Sequence, residues 1–444
     1  MSKSSKSVDR AAPVLKAFVI HPVRPLRGPA AALARDPQSR LEEAVGLALA
    51  LDLNVVETVI APLRAVTPAT LFGKGKIEEF AAICEVEKID VAVFDDQLTP
   101  VQQRNLERSL NVKVIDRTGL ILEIFARRAR TREGKLQVEL ARLDYERSRL
   151  VRTWTHLERQ RGGTGNTGGP GETQIELDRR LIADNIIKLK RELEEVRRTR
   201  TLHRKARKKV PYPTVALVGY TNAGKSTLFN RLTEADVLAK DMLFATLDPT
   251  LRTVKLPDGR PAILSDTVGF ISDLPHELVE AFRATLEEVQ EAGVVLHVRD
   301  IANPDSVAQA RDVETVLAEL GVTFDEGKTV VEVWNKIDLV SEDDREEVDG
   351  SARRAEASPV SATTGEGCEA LLKRISGLID DSPPIAIRLT AGEGEALAWI
   401  YRHGRVMSRE DEAEGGVTIV ARLDAQALGR FERQFPNAFV MVAA

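Results

Sequence analysis

One stretch of the chain places two glycines, a lysine and a serine at a spacing that suits phosphate binding. The sequence GYTNAGKS follows an apolar, β-type run at residues 215–218 and precedes a segment with helical spacing. In this context the glycines let backbone N–H groups point at phosphate oxygens, and the helix adds its positive N-terminal end. The strand–loop–helix order predicts a binding site for a nucleoside triphosphate. Its residues are Gly219, Tyr220, Thr221, Asn222, Ala223, Gly224, Lys225, Ser226 and Thr227.

A second motif predicts which base is bound. Asn335, Lys336, Ile337 and Asp338 end a buried-strand pattern, and Ser361, Ala362 and Thr363 form a later loop expected to hold the base edge. The Asp338 carboxylate can accept hydrogen bonds from guanine N1–H and from its exocyclic amine. Adenine presents an unprotonated N1 and would leave that carboxylate unpaired. The motif therefore predicts GTP and GDP as the bound nucleotides.

Two segments between these motifs are predicted to sense the terminal phosphate. The first is Phe244, Ala245, Thr246, Leu247 and Asp248; the second is Asp266, Thr267, Val268 and Gly269. Thr246 is expected to bind Mg²⁺ together with Ser226, with Thr250 as the second choice, and Asp266 to hold a Mg²⁺-bound water. The Gly269 N–H is expected to contact the γ-phosphate.

The hydrolytic chemistry has a weak point at Phe270. Lys225 and Gly269 are the predicted catalytic groups, but Phe270 stands where many GTPases carry a glutamine that orients the attacking water. A phenyl ring cannot hydrogen-bond water, so slow intrinsic hydrolysis is expected, with acceleration by a partner.

Composition limits the other classes of function. The 444 residues carry two cysteines, Cys84 and Cys368, with no CxxC pair and no HExxH. This argues for a reducing compartment and against a protein-built zinc site. No apolar run reaches the ~18 residues that a membrane span needs, so a cytoplasmic location is expected.

Charge is concentrated in one segment. Between Ala126 and Val210 there are 24 Lys and Arg against 12 Asp and Glu, in a chain whose net charge is −5. Apolar residues recur here at heptad spacing on both sides of the glycine-rich stretch 162–171, which predicts an antiparallel helical hairpin with arms of roughly 33 Å. The stretch contains a formal GxGxxG, but no strand precedes it, so a dinucleotide site is excluded.

A narrow glycine tip on basic arms suits insertion into folded RNA. An exposed turn without a partner is the alternative. The predicted RNA contacts are Arg159, Arg161, Gly163, Gly165, Gly168, Arg179 and Arg180.

These elements order the chain into an α/β fold with a P-loop domain at its centre. Alternating strand and helix patterns predict a mainly parallel α/β domain before the hairpin, and a small α/β unit closes the chain. The predicted parts are a disordered segment 1–13, an α/β domain 14–125, the hairpin 126–210, the nucleotide domain 211–382 and a C-terminal domain 383–444.

Together, GYTNAGKSTLFN, FATLDPT, DTVGF, NKID and the glycine-tipped hairpin resemble HflX-type translation GTPases of the Obg–HflX group. The resemblance covers nearly the whole chain. It implies binding to the large (50S) ribosomal subunit and its rRNA, and splitting or rescue of stalled ribosomes, with the tip near the peptidyl-transferase region. A monomer and a weak membrane association are further expectations from the resemblance.

Two other functions stay open at this point. The chain could be a large-subunit assembly factor in which hydrolysis only resets an RNA-binding cycle. An RNA helicase driven by the N-terminal domain would instead need ATP-dependent unwinding that survives loss of Lys225.

Overall fold

The computed structural model describes most of the chain. The described residues are 14–25, 35–158, 174–207, 212–234, 243–244, 250–274, 289–319, 321, 329–379, 384–390, 392–412, 416–423, 425–436 and 438–442. Contacts divide the chain into two compact units. One is Met1–Val254 with Ala262–Glu369, and the other is Lys255–Pro261 with Ala370–Ala444.

The first part of the larger unit is a parallel sheet with helices between its strands, as the sequence predicted. The strands are Lys16–Val23 (β1), Asn54–Pro62 (β2), Val91–Phe94 (β3) and Lys113–Asp116 (β4), in the order β2-β1-β3-β4. The helices are Pro37–Leu49 (α1), Lys74–Glu87 (α2), Pro100–Leu110 (α3) and Arg117–Arg128 (α4). Strand β2 was not predicted; most of its residues are exposed or half-buried, so its apolar signal is weak.

Side chains of β1 alternate between the two faces of this sheet because successive residues of a strand point in opposite directions. Phe18 and Ile20 lie in a buried cluster with residues of α2 and α3. Ala17 and Val19 lie in a second cluster with residues of α1 and α4, and this cluster continues to Phe270 beside the predicted nucleotide site. The N-terminal and nucleotide domains therefore share one hydrophobic core.

The basic segment forms two long helices, Arg132–Glu158 (α5, 27 residues) and Gln174–Arg207 (α6, 34 residues). They pack along each other and are longer than the arms of about 22 residues that the heptad pattern suggested. Ile186 and Leu193 are buried on α6. The glycine-rich tip between the helices lies outside the described residues.

The middle of α5 is fixed to the N-terminal domain by polar contacts. The Tyr145 hydroxyl donates to Asp116 Oδ1 at 2.6 Å, and Arg149 Nη2 donates to Asp116 Oδ2 at 2.6 Å. The same carboxylate caps α4 by accepting the Gly119 N–H at 2.8 Å. One buried carboxylate thus joins the arm to the start of α4.

The nucleotide domain is built on a six-stranded sheet of order β10-β9-β8-β5-β7-β6. Its strands are Thr214–Gly219 (β5), Thr250–Lys255 (β6), Pro261–Asp266 (β7), Val294–Asp300 (β8), Thr329–Asn335 (β9) and Ser358–Pro359 (β10). Its helices are Lys225–Thr233 (α7), Ser306–Glu319 (α8), Glu342–Arg354 (α9) and Cys368–Ile379 (α10). Because β5, β7, β8 and β9 pair in parallel, their carboxyl ends meet at one edge of the sheet.

By its contacts most of α10 belongs to the smaller unit, which also contains an antiparallel sheet of order β12-β13-β11-β14 with two further helices. The strands are Pro384–Leu389 (β11), Arg405–Asp411 (β12), Val417–Arg422 (β13) and Phe439–Val442 (β14), and the helices are Gly394–His403 (α11) and Ala425–Gln434 (α12). Ile387, Ile400, Ile419 and Phe431 are fully buried at its centre. The predicted C-terminal α/β unit is confirmed in its class, although β12 and β14 were not predicted.

Candidate nucleotide site

The loop after β5 has the conformation that its glycines allow. Gly219 and Gly224 have φ angles of 152° and 88°, which side chains rarely adopt. A Cβ added at Gly219 would lie 2.2 Å from the Val298 carbonyl oxygen, and one at Gly224 would lie 2.2 Å from Asn335 Nδ2. Both positions therefore require glycine, and the loop leads directly into the N-terminus of α7.

Lys225 is buried at the centre of this loop. Its Nζ donates to the carbonyl oxygens of Gly219 and Tyr220 at 3.0 and 2.7 Å. Burial lowers the pKa of Lys225 to about 8, against the opposing attraction of Asp266. A buried ammonium is favoured by an adjacent anion, so the loop suits a phosphate group.

Ser226 and Asp266 lie together at the ends of α7 and β7. The Ser226 hydroxyl donates to Asp266 Oδ2 at 2.7 Å, and Asp266 is fully buried. A hydroxyl and a carboxylate are the hard oxygen donors that Mg²⁺ prefers, so this pair fits the ion. Thr246, the other predicted ligand, lies outside the described residues, as do Ala245, Leu247 and Asp248.

The second sensor segment runs beside the phosphate loop. Thr221 N–H donates to the Phe270 carbonyl at 2.7 Å, and Phe270 N–H donates to the Gly219 carbonyl at 3.1 Å. A Cβ added at Gly269 would lie 3.1 Å from Lys225 Nζ. Gly269 is thus placed next to Lys225, whereas the Phe270 side chain lies in the shared core.

Asn335 connects the phosphate loop to the predicted base loop. Its Nδ2 donates to the Ala223 carbonyl at 2.8 Å, and its Oδ1 accepts the Ala362 N–H at 3.0 Å. Asp338 is exposed in a 3₁₀ turn, Ile337–Leu339, at the end of β9. The structure therefore brings three sequence motifs to one edge of the sheet, with the Asp338 carboxylate accessible to a base.

Two arginines near the base loop were not predicted. Arg231 on α7 donates to the carbonyl oxygens of Ala362, at 3.2 Å, and Thr363. Arg345 on α9 donates to the Ile337 carbonyl at 2.9 Å. Every residue type carries a backbone carbonyl, so an arginine bound to carbonyls leaves no residue pattern by which sequence reasoning could have found it.

The Tyr220 hydroxyl also has an unpredicted environment. It donates to Glu43 Oε2 at 2.5 Å, accepts from Arg35 Nη1 at 2.9 Å and accepts the Ser272 N–H at 2.9 Å. Burial and the Glu43 carboxylate raise the pKa of Tyr220 to about 12, although Arg35 and Arg117 oppose the shift. Tyr220 was predicted only as part of the phosphate loop; its side chain contacts the N-terminal domain.

The predicted RNA-contacting residues are only partly described. Arg179 and Arg180 are exposed on α6. Arg159, Arg161, Gly163, Gly165 and Gly168 lie outside the described residues. Among the residues that are described, no helix has the length and apolar character needed to cross a membrane.

Comparison with known proteins places this site in a family. The chain is 52% identical over 406 residues to "GTPase HflX" of Magnetococcus marinus, an alignment that covers 91% of this chain and 93% of the relative. The chain belongs to the HflX family of GTPases. It is 44% identical to "GTPase HflX" of Escherichia coli K12, over 89% of this chain and 92% of the relative. As an HflX-family protein with a P-loop domain, it is a GTP hydrolase.

Models of four domains match this HflX-family chain in sequence order. They are "GTP-binding GTPase N-terminal" at 38–126, "GTP-binding GTPase Middle Region" at 128–207, "50S ribosome-binding GTPase" at 214–336 and "HflX C-terminal domain" at 346–441. Among solved structures, the chain is similar to SsGBP in complex with GDP. The identity is 26% and the TM-score 0.48, covering 82% of this chain and 98% of that one.

Proposed function

We propose that this HflX-family GTPase uses bound GTP to control its attachment to the large ribosomal subunit, and that it splits or rescues stalled ribosomes. The observation that carries the proposal is a phosphate-binding loop in the same chain as two long helices, of which α6 is basic. The family model for 50S ribosome-binding GTPases, which matches residues 214–336, supports the same partner.

The arm has the dimensions and charge for reaching into folded RNA. At 1.5 Å per residue, α5 and α6 extend about 40 and 50 Å. Arg179 and Arg180 are exposed near the N-terminus of α6, the end that follows the glycine-rich stretch in the sequence. Cationic side chains release counterions when they neutralise phosphates, so binding through this arm would weaken steeply as salt rises.

In the nucleotide site, each predicted residue has a proposed role. Lys225 neutralises the β- and γ-phosphates, and Gly269 N–H contacts the γ-phosphate. Asp338 accepts from guanine, and the backbone of the loop Ser361, Ala362 and Thr363 supports the base edge. Ser226 and Asp266 would hold Mg²⁺, directly or through water, with Thr246 as a further ligand. The ion would neutralise charge on the β- and γ-phosphate oxygens.

The environment of Phe270 supports slow hydrolysis in the absence of a partner. Its ring is 2% exposed and lies in the core shared with the N-terminal domain. It therefore supplies no group that could orient water at the γ-phosphate. We propose that the ribosome provides this function or rearranges the sensor segments.

Sedimentation with purified subunits tests the role of the arm. The double variant Arg179→Glu/Arg180→Glu should lower attachment to large subunits by about tenfold or more at 0.1 M salt, because two phosphate contacts become repulsive. GTP hydrolysis by the free chain should be unchanged. The matched control is Arg353→Glu/Arg354→Glu, an exposed adjacent pair on α9.

Equal attachment of the arm variant and the wild-type chain would contradict an RNA-binding arm. Attachment that does not differ between GDP and a non-hydrolysable GTP analogue would contradict nucleotide control. Ribosome profiles separate the two roles: a splitting factor converts intact ribosomes into subunits, whereas copurification with immature large-subunit particles would favour assembly.

A further inference from the structure

Asp116, at the end of β4, accepts four hydrogen bonds that tie α5 to the N-terminal domain. The residue is 1% exposed. Its Oδ1 accepts from the Tyr145 hydroxyl at 2.6 Å and from the Gly119 N–H at 2.8 Å. Its Oδ2 accepts from Arg149 Nη2 at 2.6 Å and from the Leu98 N–H at 3.1 Å. A buried carboxylate is stable only with such donors, and here two of them belong to α5.

The two α5 side chains at this contact also support each other. The Arg149 guanidinium lies over the Tyr145 ring, 4.1 Å from its centroid, and donates to Gln103 Oε1 on α3. Burial and the Asp116 carboxylate raise the pKa of Tyr145, so its hydroxyl remains a donor. Residues at positions i and i+4 lie one helical turn apart, so the helix is held at two points along its length. We call Asp116, Tyr145 and Arg149 the arm joint.

The residue that follows Asp116 contacts the nucleotide domain. Arg117 is 2% exposed and donates to Glu43 Oε1 at 2.5 Å and to the Ser272 carbonyl at 3.1 Å. Tyr145 of the arm joint also packs against the hydrophobic core that the N-terminal and nucleotide domains share. Neighbouring residues at the end of β4 therefore bind the arm on one side and the nucleotide domain on the other.

The position of the joint gives it leverage over the arm. It lies in the middle of α5, which continues beyond Arg149 to Glu158. A small change of tilt at the joint becomes a larger displacement at the far end of the helix. A loosely held arm has to be ordered when it binds a partner, which costs free energy, whereas an arm that is already oriented avoids most of that cost. The joint is therefore expected to strengthen attachment without contacting the partner.

We propose that Tyr145 and Arg149 are positioning residues that, through Asp116, set the direction of the arm relative to the nucleotide domain before a large ribosomal subunit is bound. This inference rests on the proposed attachment to that subunit through the arm. It assigns no RNA contact to either residue, since the Arg149 guanidinium is paired with the buried Asp116 carboxylate.

Sedimentation of the full chain with purified large subunits, over a range of salt concentrations, tests the proposal. Tyr145→Phe removes one hydroxyl, and Arg149→Gln removes the guanidinium that reaches Asp116. Each should lower attachment about 3- to 10-fold at every salt concentration, the effect of about one lost hydrogen bond. The slope of log affinity against log salt should stay that of the wild-type chain, because the phosphate contacts are the same. GTP hydrolysis by the free chain should be unchanged.

Arg142→Gln is the matched control. It removes the same charge from an exposed side chain of α5 that pairs with Glu146 instead of Asp116. A loss of attachment in Arg149→Gln no larger than in this control overturns the proposal. So does a salt slope that falls by about 1 in Arg149→Gln, which would show that Arg149 itself contacts a phosphate. Unchanged attachment in Tyr145→Phe would equally contradict the role of the joint.

Spin labels measure the direction of the arm in the free chain. Glu78→Cys on α2 and Arg191→Cys on α6 place labels at exposed positions of the N-terminal domain and the arm, and both native cysteines are buried. The distribution of distances between the labels should be broader when Tyr145→Phe and Arg149→Gln are combined with them. An equally narrow distribution would mean that other contacts set the direction of the arm, and the proposal would be wrong.

The variant Arg179→Glu/Arg180→Glu separates this inference from the proposed function. If that variant attaches like the wild-type chain, the arm is not the RNA contact and the proposed function fails, while the label distances still decide whether the joint sets the direction of the arm. If it loses attachment and the joint variants do not, the RNA contact stands and the positioning role of Tyr145 and Arg149 is wrong.

Discussion

At the scale of single residues, Lys225 is the group whose titration reports on the site. Its pKa of about 8 in the folded protein lies below the value near 10.5 of an unperturbed lysine. Between these values the unfolded chain binds more protons than the folded chain, so this lysine makes stability rise with pH from about 8 to 10.5. Below pH 8 the cost of burying the ammonium is present in full.

A bound phosphate should restore the lost proton. At pH 9 most folded molecules carry a neutral Lys225, and an adjacent anion favours the ammonium. We expect GDP binding at pH 9 to take up roughly 0.9 proton per chain, and at pH 7.5 much less. Calorimetry in buffers of different ionisation enthalpy measures this uptake directly. Equal and negligible uptake at the two pH values would mean that Lys225 is already charged in the free site.

At the scale of elements, the nucleotide site depends on contacts between segments that the motifs themselves do not contain. Arg231 near the end of α7 holds the predicted base loop through the carbonyl oxygens of Ala362 and Thr363. Asn335 holds the same loop from the other side. The predicted base loop is therefore held by a helix and a strand end together.

Removing Arg231 should loosen this loop. Arg231→Ala loses two charge-assisted hydrogen bonds to carbonyls, worth about 1.5–3 kcal/mol each in a folded protein. If the binding free energy of GDP decreases by about half of one such hydrogen bond or more, GDP affinity falls about 3- to 10-fold. Fluorescent-GDP titration measures the change. Arg354→Ala, an exposed arginine on α9, is the control. Unchanged GDP affinity in Arg231→Ala would contradict a role for this contact in holding the base.

At the scale of the whole molecule, cores define what unfolds together. The N-terminal and nucleotide domains share one hydrophobic cluster that includes Val19, Phe125 and Phe270. The C-terminal sheet has its own cluster around Ile387 and Phe431. The two compact units differ in which core they contain, so each is expected to unfold as a cooperative unit of its own.

Scanning calorimetry should therefore resolve two transitions. Saturating GDP should raise the transition temperature of the larger unit, because a ligand stabilises the folded state to which it binds. The transition temperature of the smaller unit should not change. Phe431→Ala should lower the free energy of unfolding of the smaller unit by about 3–5 kcal/mol, and with it that unit's transition temperature, without changing GDP affinity. Phe125→Ala is the counterpart in the shared core. A single transition that shifts as a whole in both variants would show that the chain unfolds as one unit.

The sequence by itself determined the chemistry of the site. A phosphate loop needs glycines, a lysine and a serine within eight neighbouring residues, and a guanine pocket needs its carboxylate at a strand end, so both leave a local signature in GYTNAGKS and NKID. The parallel sheet and the two long helices were also predictable from the sequence, because the periodicity of apolar residues is a local feature. The half-exposed strand β2 and the edge strand β12 were not, because few of their described side chains are buried in a core.

Only the tertiary structure decided what surrounds that chemistry. Arg117 and Tyr220 lie 74 and 177 residues from Glu43 along the chain. In the sequence all three are ordinary charged or aromatic residues. Folding buries them in one network beside Ser272, where the loss of water makes every hydrogen bond count. A binding motif is recognisable from the spacing of its residues in the sequence, whereas burial and long-range partners exist only once the cores have formed.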